Sequence, residues 1–246
     1  MIDFTQPADI VAPQLLGTAL SHGDVTIRIT EVEAYLGATD PAAHTYRGMT
    51  KQNRAMFGPP GRLYVYRSYG IHLACNIVCA PEGDGQGCLL RAGEVIHGIP
   101  RALDRRGLRP LNRLAQGPGN FGAALGVDLG LNGVSIFSAR LGFINRVAEP
   151  EIVVGPRIGI SKNTDAPLRF WIPNHPTVSA RKGYPPSSRL GVLGQHNAST
   201  TCLRDRPAKY AVFHSNEQSG VTPKRQRYPM AAMPAVPSNH PIKCRG

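Results

Sequence analysis

The chain has 246 residues, a formal net charge of +12, 41% hydrophobic residues and five cysteines. That length can bury a real core as one large or two small domains, and no apolar run reaches the ~20 residues of a membrane span. Without a basic and then apolar leader, the expectation is a soluble, cytoplasmic protein with no membrane partner.

Cys75, Cys79, Cys88, Cys202 and Cys244 form no C-x-x-C pair and have no closely spaced histidine. Neither a zinc site nor a disulfide framework is indicated, and no metal or cofactor is expected. Cys75 and Cys79 fall in an apolar strand pattern and read as buried small hydrophobes. The charge is unevenly spread. Residues 181 to 246 hold 11 Lys+Arg against 2 Asp+Glu, while residues 47 to 113 hold 11 against 4. Phosphate contacts are expected from the second of these regions.

In chain order, residues 9 to 20 read as a helix, with Ile10, Val11, Leu15, Leu16, Ala19 and Leu20 near one stripe. A turn at 21 to 24 leads into a strand over 25 to 35. With period two, Val25, Ile27, Ile29, Glu31, Glu33 and Tyr35 share one face, which puts both carboxylates on the apolar side. A carboxylate there is partly desolvated and a stronger base once ionised. Glu33 is the better candidate, because Tyr35 lies beside it and the turn at 37 to 41 lets His44 come back over the site. Taken alone, a Glu-x-Glu is more simply the solvated half of an edge strand.

Residues 38 to 62 carry too much Gly and Pro for a long regular element and read as a loop region. A β-meander follows, with strands at 63 to 67, 71 to 79 and 88 to 96. Tyr69 projects from the tight turn between the first two. Residues 98 to 115 are Arg-rich and helical in parts. Gly117-Pro118-Gly119-Asn120 opens a helix to about residue 125, where backbone N–H groups hold a phosphate or form a plain cap. Closing strands are expected at 136 to 143, 151 to 160 and 168 to 172. Residues 180 to 246 hold 8 prolines and no sustained periodicity, and read as a basic, disordered tail.

Several motifs recur in a fixed order: Glu-x-Glu-Ala-Tyr-Leu-Gly from Glu31 with His44 behind it, Asn53-Arg54-x-Met56-Phe57, Tyr-Val-Tyr-x-x-Tyr-Gly from Tyr64, and Leu-Leu-Arg-Ala from Leu89. Together they resemble the 3-methyladenine (alkylpurine) DNA glycosylase family over roughly residues 2 to 179, in one collinear match. The pattern departs at Thr45-Tyr46, where a small residue is common, in a longer loop before Arg91, and in the tail.

The resemblance implies a repair enzyme that flips a damaged purine out of duplex DNA and hydrolyses its N-glycosidic bond. It implies Glu33 as the general base. Arg91 then helps to hold the water and a nearby phosphate, assisted by the backbone carbonyl at Ile158. Tyr35 and Tyr66 bracket the base, His44 and the backbone at Ala42 read its edge, and Asn76 disfavours the exocyclic amine of guanine. Tyr69 is the wedge that fills the gap in the duplex. For Tyr64 the simpler reading is a core aromatic, and for Arg91 the alternative is an ion pair with Glu94. The nearest lysine in sequence is Lys51, so an amine nucleophile is unsupported and the enzyme is expected to be monofunctional.

Two other readings compete. A damage-recognition or RNA-binding module would keep the basic, aromatic surface but would not need Glu33, His44 and Arg91. A carbohydrate hydrolase built on Glu31 and Glu33 fails on geometry, because residues i and i+2 of a strand lie side by side. The expected architecture is a single monomeric α+β domain over residues 1 to 179, with a curved antiparallel sheet and packed helices. Its expected partner is double-stranded DNA containing damaged purines.

Overall fold

The computed structural model describes residues 1 to 68 and 70 to 179; the wedge reading of Tyr69 and the tail reading fall outside them. The fold is α+β; among the described residues it comprises a nine-stranded, antiparallel-paired sheet with three α-helices. Among the described residues no helix is long and apolar enough to cross a membrane.

The first helix, α1 (Ala8–Leu15), stops short of the expected residue 20. Gly17, at φ +81°, turns the chain, and Ala19–His22 becomes strand β1, paired with the next strand. Leu16 and Leu20 are still buried, so the apolar stripe marked burial correctly but not the element. The long strand β2 (Val25–Tyr35) follows, then the meander β3 (Leu63–Ser68), β4 (His72–Cys79) and β5 (Gln86–His97), close to the expected bounds. Next come α2 (Ile99–Arg106), the short β6 (Ala115–Gln116) and α3 (Pro118–Leu125). The closing strands β7 (Gly142–Ile144), β8 (Val153–Gly155) and β9 (Arg169–Trp171) are each shorter than expected.

Along the sheet the order is β3-β4-β5-β2-β1-β7; β6 adds to β5, and β9 pairs with both β2 and β8. The core joins Val11 and Leu15 of α1, Phe121 and Leu125 of α3, and the inward residues of β2, β4 and β5. The third helix lies close against β4, since a Cβ on Gly122 would stand 2.1 Å from the Leu73 carbonyl. Cys75 and Cys79 are buried as read.

The strict alternation expected for β2 fails at its middle. Pairing with β5 runs Ile29 to Gly93, then Glu31 to Ala92, then Val32 to Leu90, so Thr30 bulges from β2 and Arg91 from β5. The core residues of β2 are therefore Val25, Ile27 and Ile29, followed by Val32 and Ala34. Glu31 and Glu33 are not on the apolar core face, as period two had implied, but on the opposite one. The change of phase falls where the other neighbour of β2 switches from β1 to β9.

Candidate active site

The face opposite the core carries Glu31 and Glu33 from β2, Arg91 from β5 and Arg169 from β9. Glu31 is fully buried and accepts hydrogen bonds from Arg91 Nε at 3.0 Å, Arg169 Nε at 2.6 Å, the Ser179 amide at 2.7 Å and the Ser179 hydroxyl at 2.6 Å. Two of these donors are guanidinium groups, which satisfy the carboxyl oxygens where water cannot reach them.

Glu33 is equally buried. Its Oε1 accepts the Ile158 amide at 2.7 Å, and its Oε2 accepts the Tyr35 hydroxyl at 3.0 Å. Arg91 Nη1 lies 3.4 Å from Oε1 and donates to the Ile158 carbonyl at 3.5 Å. Burial opposes the charge on Arg91, but Glu33 and Glu31 outweigh it and hold its pKa above the ordinary value. The alternative partner, Glu94, is instead paired with Arg28, and His175 Nε2 is 3.5 Å away. Arg91 thus serves the Glu-x-Glu pair.

A cleft of about 660 Å³ opens over this group. Of the residues singled out from sequence, Tyr35, Ala42, His44, Tyr66, Asn76, Arg91 and Ile158 all line it. Glu33 meets the cleft through its neighbours Tyr35, Arg91 and Ile158. Burial first, then the nearby Tyr64 and Glu33, push the Tyr66 phenol up to about 12, so it is neutral. Burial also lowers the pKa of His44 and keeps its imidazole neutral near pH 7.

The reading of Tyr64 as a core aromatic captures half of its setting. It is buried with Met56 and Val78, yet it also borders the cleft, stacks on Tyr66 at 5.5 Å, and its hydroxyl lies 3.3 Å from His44 Nδ1. The His44 ring stands edge-on to Tyr66 at 4.6 Å. Asn53, in one of the sequence motifs, holds the loop from behind. Its Nδ2 donates to the His44 and Gly48 carbonyls, each at 3.0 Å, and its Oδ1 accepts the Thr50 amide at 2.6 Å. Thr45 fits its pocket by donating to the Gly85 carbonyl at 2.7 Å.

Sequence reasoning did not assign Asp40, Arg157, Arg169 or Ser179. Arg157 is buried, binds Asp40 through both terminal nitrogens at 2.5 and 2.8 Å, and donates to the Ala34 carbonyl at 2.9 Å. Asp40 in turn accepts the Ala42 amide at 3.2 Å. Arg157 and Arg169 do lie in two stretches that share the family resemblance, Gly155-Pro156-Arg157-Ile158-Gly159-Ile160 and Pro167-Leu168-Arg169-Phe170-Trp171, but both are far in sequence from the other motifs. Among the described residues no cluster of His, Cys, Asp and Glu suited to a metal ion is present.

Such a cleft can hold a flat heteroaromatic ring between tyrosine and histidine side chains, with a buried carboxylate at one end. The fold and this geometry belong with a wider group of sequences. The chain belongs to the methylpurine-DNA glycosylase family, whose model matches residues 2–176. Membership makes it a DNA N-glycosylase, a hydrolase that removes alkylated bases from DNA. It is 68% identical over 185 residues to a Corynebacterium glutamicum protein, covering 75% of this chain and 98% of the relative. A Corynebacterium efficiens protein is 62% identical over 184 residues, covering 75% and 97%. One from Cutibacterium acnes is 51% identical over 187 residues, covering 73% and 98%. All three are named as inferred 3-methyladenine DNA glycosylases.

Proposed function

We propose that the protein releases alkylated purines, among them 3-methyladenine and 7-methylguanine, from double-stranded DNA, with hypoxanthine and ethenoadenine as further candidates. The damaged nucleotide leaves the stack and enters the cleft, because its glycosidic carbon is out of reach within the duplex. Tyr35 and Tyr66 face its ring, and His44 with the Ala42 backbone contacts its edge. Asn76 excludes the guanine amine. Tyr69 occupies the space the base vacates.

The observation that carries this reading is Glu33, a fully buried carboxylate held by Ile158, Tyr35 and Arg91, three residues that line an aromatic cleft. Oε2, whose donor is the Tyr35 hydroxyl, keeps a lone pair for a water molecule. As the bond between the purine nitrogen and the anomeric carbon breaks, its electron pair leaves with the base. Water attacks the cationic sugar and passes a proton to Glu33. Arg91 and the Ile158 carbonyl orient that water, and Arg91 also faces the phosphate. Water is the nucleophile in this reading, so the DNA strand stays intact, although Lys162 also borders the cleft. The enzyme acts as an intracellular monomer through residues 1 to 179, with residues 180 to 246 as a separate basic tail.

The test is single-turnover base release from duplexes carrying 3-methyladenine or 7-methylguanine, compared with Glu33→Gln. Release should fall by about 100- to 10,000-fold in the variant while DNA binding persists. Binding of damaged duplex by a folded parent that releases no base would replace this reading with that of a damage-recognition module.

A further inference from the structure

The aromatic wall of the cleft has a cation behind it. The guanidinium carbon of Arg157 lies 4.6 Å from the centroid of the Tyr35 ring, over its face. The Arg157 side chain is fully buried and does not line the cleft, whereas Tyr35 does. One side of the ring is thus taken by a guanidinium and the other is left for the base. Asp40 grips the guanidinium at its edge, through both Nη atoms, while the ring meets it at its face.

Packing alone does not explain a charge at this position. A buried ion pair can often be exchanged for packed apolar side chains without loss of stability, and Arg157 Nε has no hydrogen-bond partner in its buried position. Apolar packing would support Tyr35 equally well but would not polarise it. A cation on one face draws the ring's π density toward itself, so the opposite face attracts a second cation less strongly. Direct repulsion across the ring acts in the same direction.

Resting on the reading of Tyr35 as a stacking wall, we propose that Arg157 is a specificity-determining residue that lowers the advantage of positively charged alkylpurines over neutral lesion bases. Asp40 moderates the effect by partly neutralising the guanidinium. Formal charge is what the device senses. 7-Methylguanine carries that charge and hypoxanthine does not.

Single-turnover release from otherwise identical duplexes carrying 7-methylguanine or hypoxanthine gives the ratio that tests this. Arg157→Gln should shift the ratio about tenfold toward 7-methylguanine, and Arg157→Lys, which keeps the charge, should stay within about threefold of the parent. Asp40→Asn leaves the guanidinium less neutralised and should move the ratio the other way, toward hypoxanthine, which keeps the test open if Arg157→Gln does not fold. Equal slowing of both lesions in Arg157→Gln, or an Asp40→Asn ratio that is unchanged or moves toward 7-methylguanine, would overturn the inference and leave Arg157 a purely structural residue. A parent that releases neither base would overturn the proposed activity as well, a distinct result.

Discussion

Arg91 Nε donates to Glu31 at 3.0 Å while its Nη1 lies 3.4 Å from Glu33, so one carboxylate of the Glu-x-Glu pair aims the arginine that serves the other. Replacing Glu31 by Gln leaves Arg91 and Arg169 buried with one fewer counter-charge. Breaking a buried pair in this way costs about 3–5 kcal/mol, and urea unfolding should register it. Combining Glu31→Gln with Arg169→Met should recover stability, but not base release, because Arg91 would still lack its guide.

Tyr64 should act through His44. Tyr64→Phe keeps the stack on Tyr66 and removes only the hydroxyl near Nδ1, costing about 1 kcal/mol of stability. Freed from that partner, the imidazole loses a preferred tautomer, and base release should fall by roughly tenfold. Unchanged release across lesions would show that the contact is packing alone.

Asn53 holds the His44 loop by three hydrogen bonds. Asn53→Ala should destabilise the fold by about 1–3 kcal/mol, the range for buried groups left without partners. The amides of residues 44 to 50 should exchange with solvent faster, while those of the core strand β4 should not. Hydrogen exchange read by mass spectrometry separates the two regions.

Stability should also depend on pH through His44. Burial lowers its folded-state pKa, so the unfolded chain binds a proton more readily than the folded one. Full stability is present above the ordinary histidine value of about 6.5 and is lost as pH falls from there toward the lowered value. His175, also lowered chiefly by burial, adds to the same trend. In His44→Gln the decline in urea midpoint between pH 7.5 and 5.5 should be shallower; an identical slope would remove His44 as a contributor.

The meander was legible because its strands are largely apolar runs and each turn between them holds Gly, Pro or Asp, a local code that survives the bulge at Arg91. The cleft residues were legible through motif order. Arg157 and Arg169 were not, since they reach Asp40 and Glu31 across 117 and 138 residues, and nothing nearby in sequence announces such partners. The helix expected over residues 9 to 20 failed at Gly17, where β1 instead joins β2 and β7. The face assignment of Glu31 and Glu33 failed for a different reason. An extra residue in a strand changes the phase of everything beyond it, and a periodic reading carries straight through it.

The bulges at Thr30 and Arg91 offset each other: the pairing of Ile29 with Gly93 before them and of Val32 with Leu90 after them keeps a common register. A one-residue insertion or deletion near either site would break that compensation. Lengthening β2 alone would turn Val32 and Ala34 toward the cleft and Glu33 toward the core. Single-residue length changes here should therefore be far less tolerated than in the loop at 81 to 85, and a viable change in one strand should call for a matching change in the other. The position of the carboxylates is a joint property of two strands.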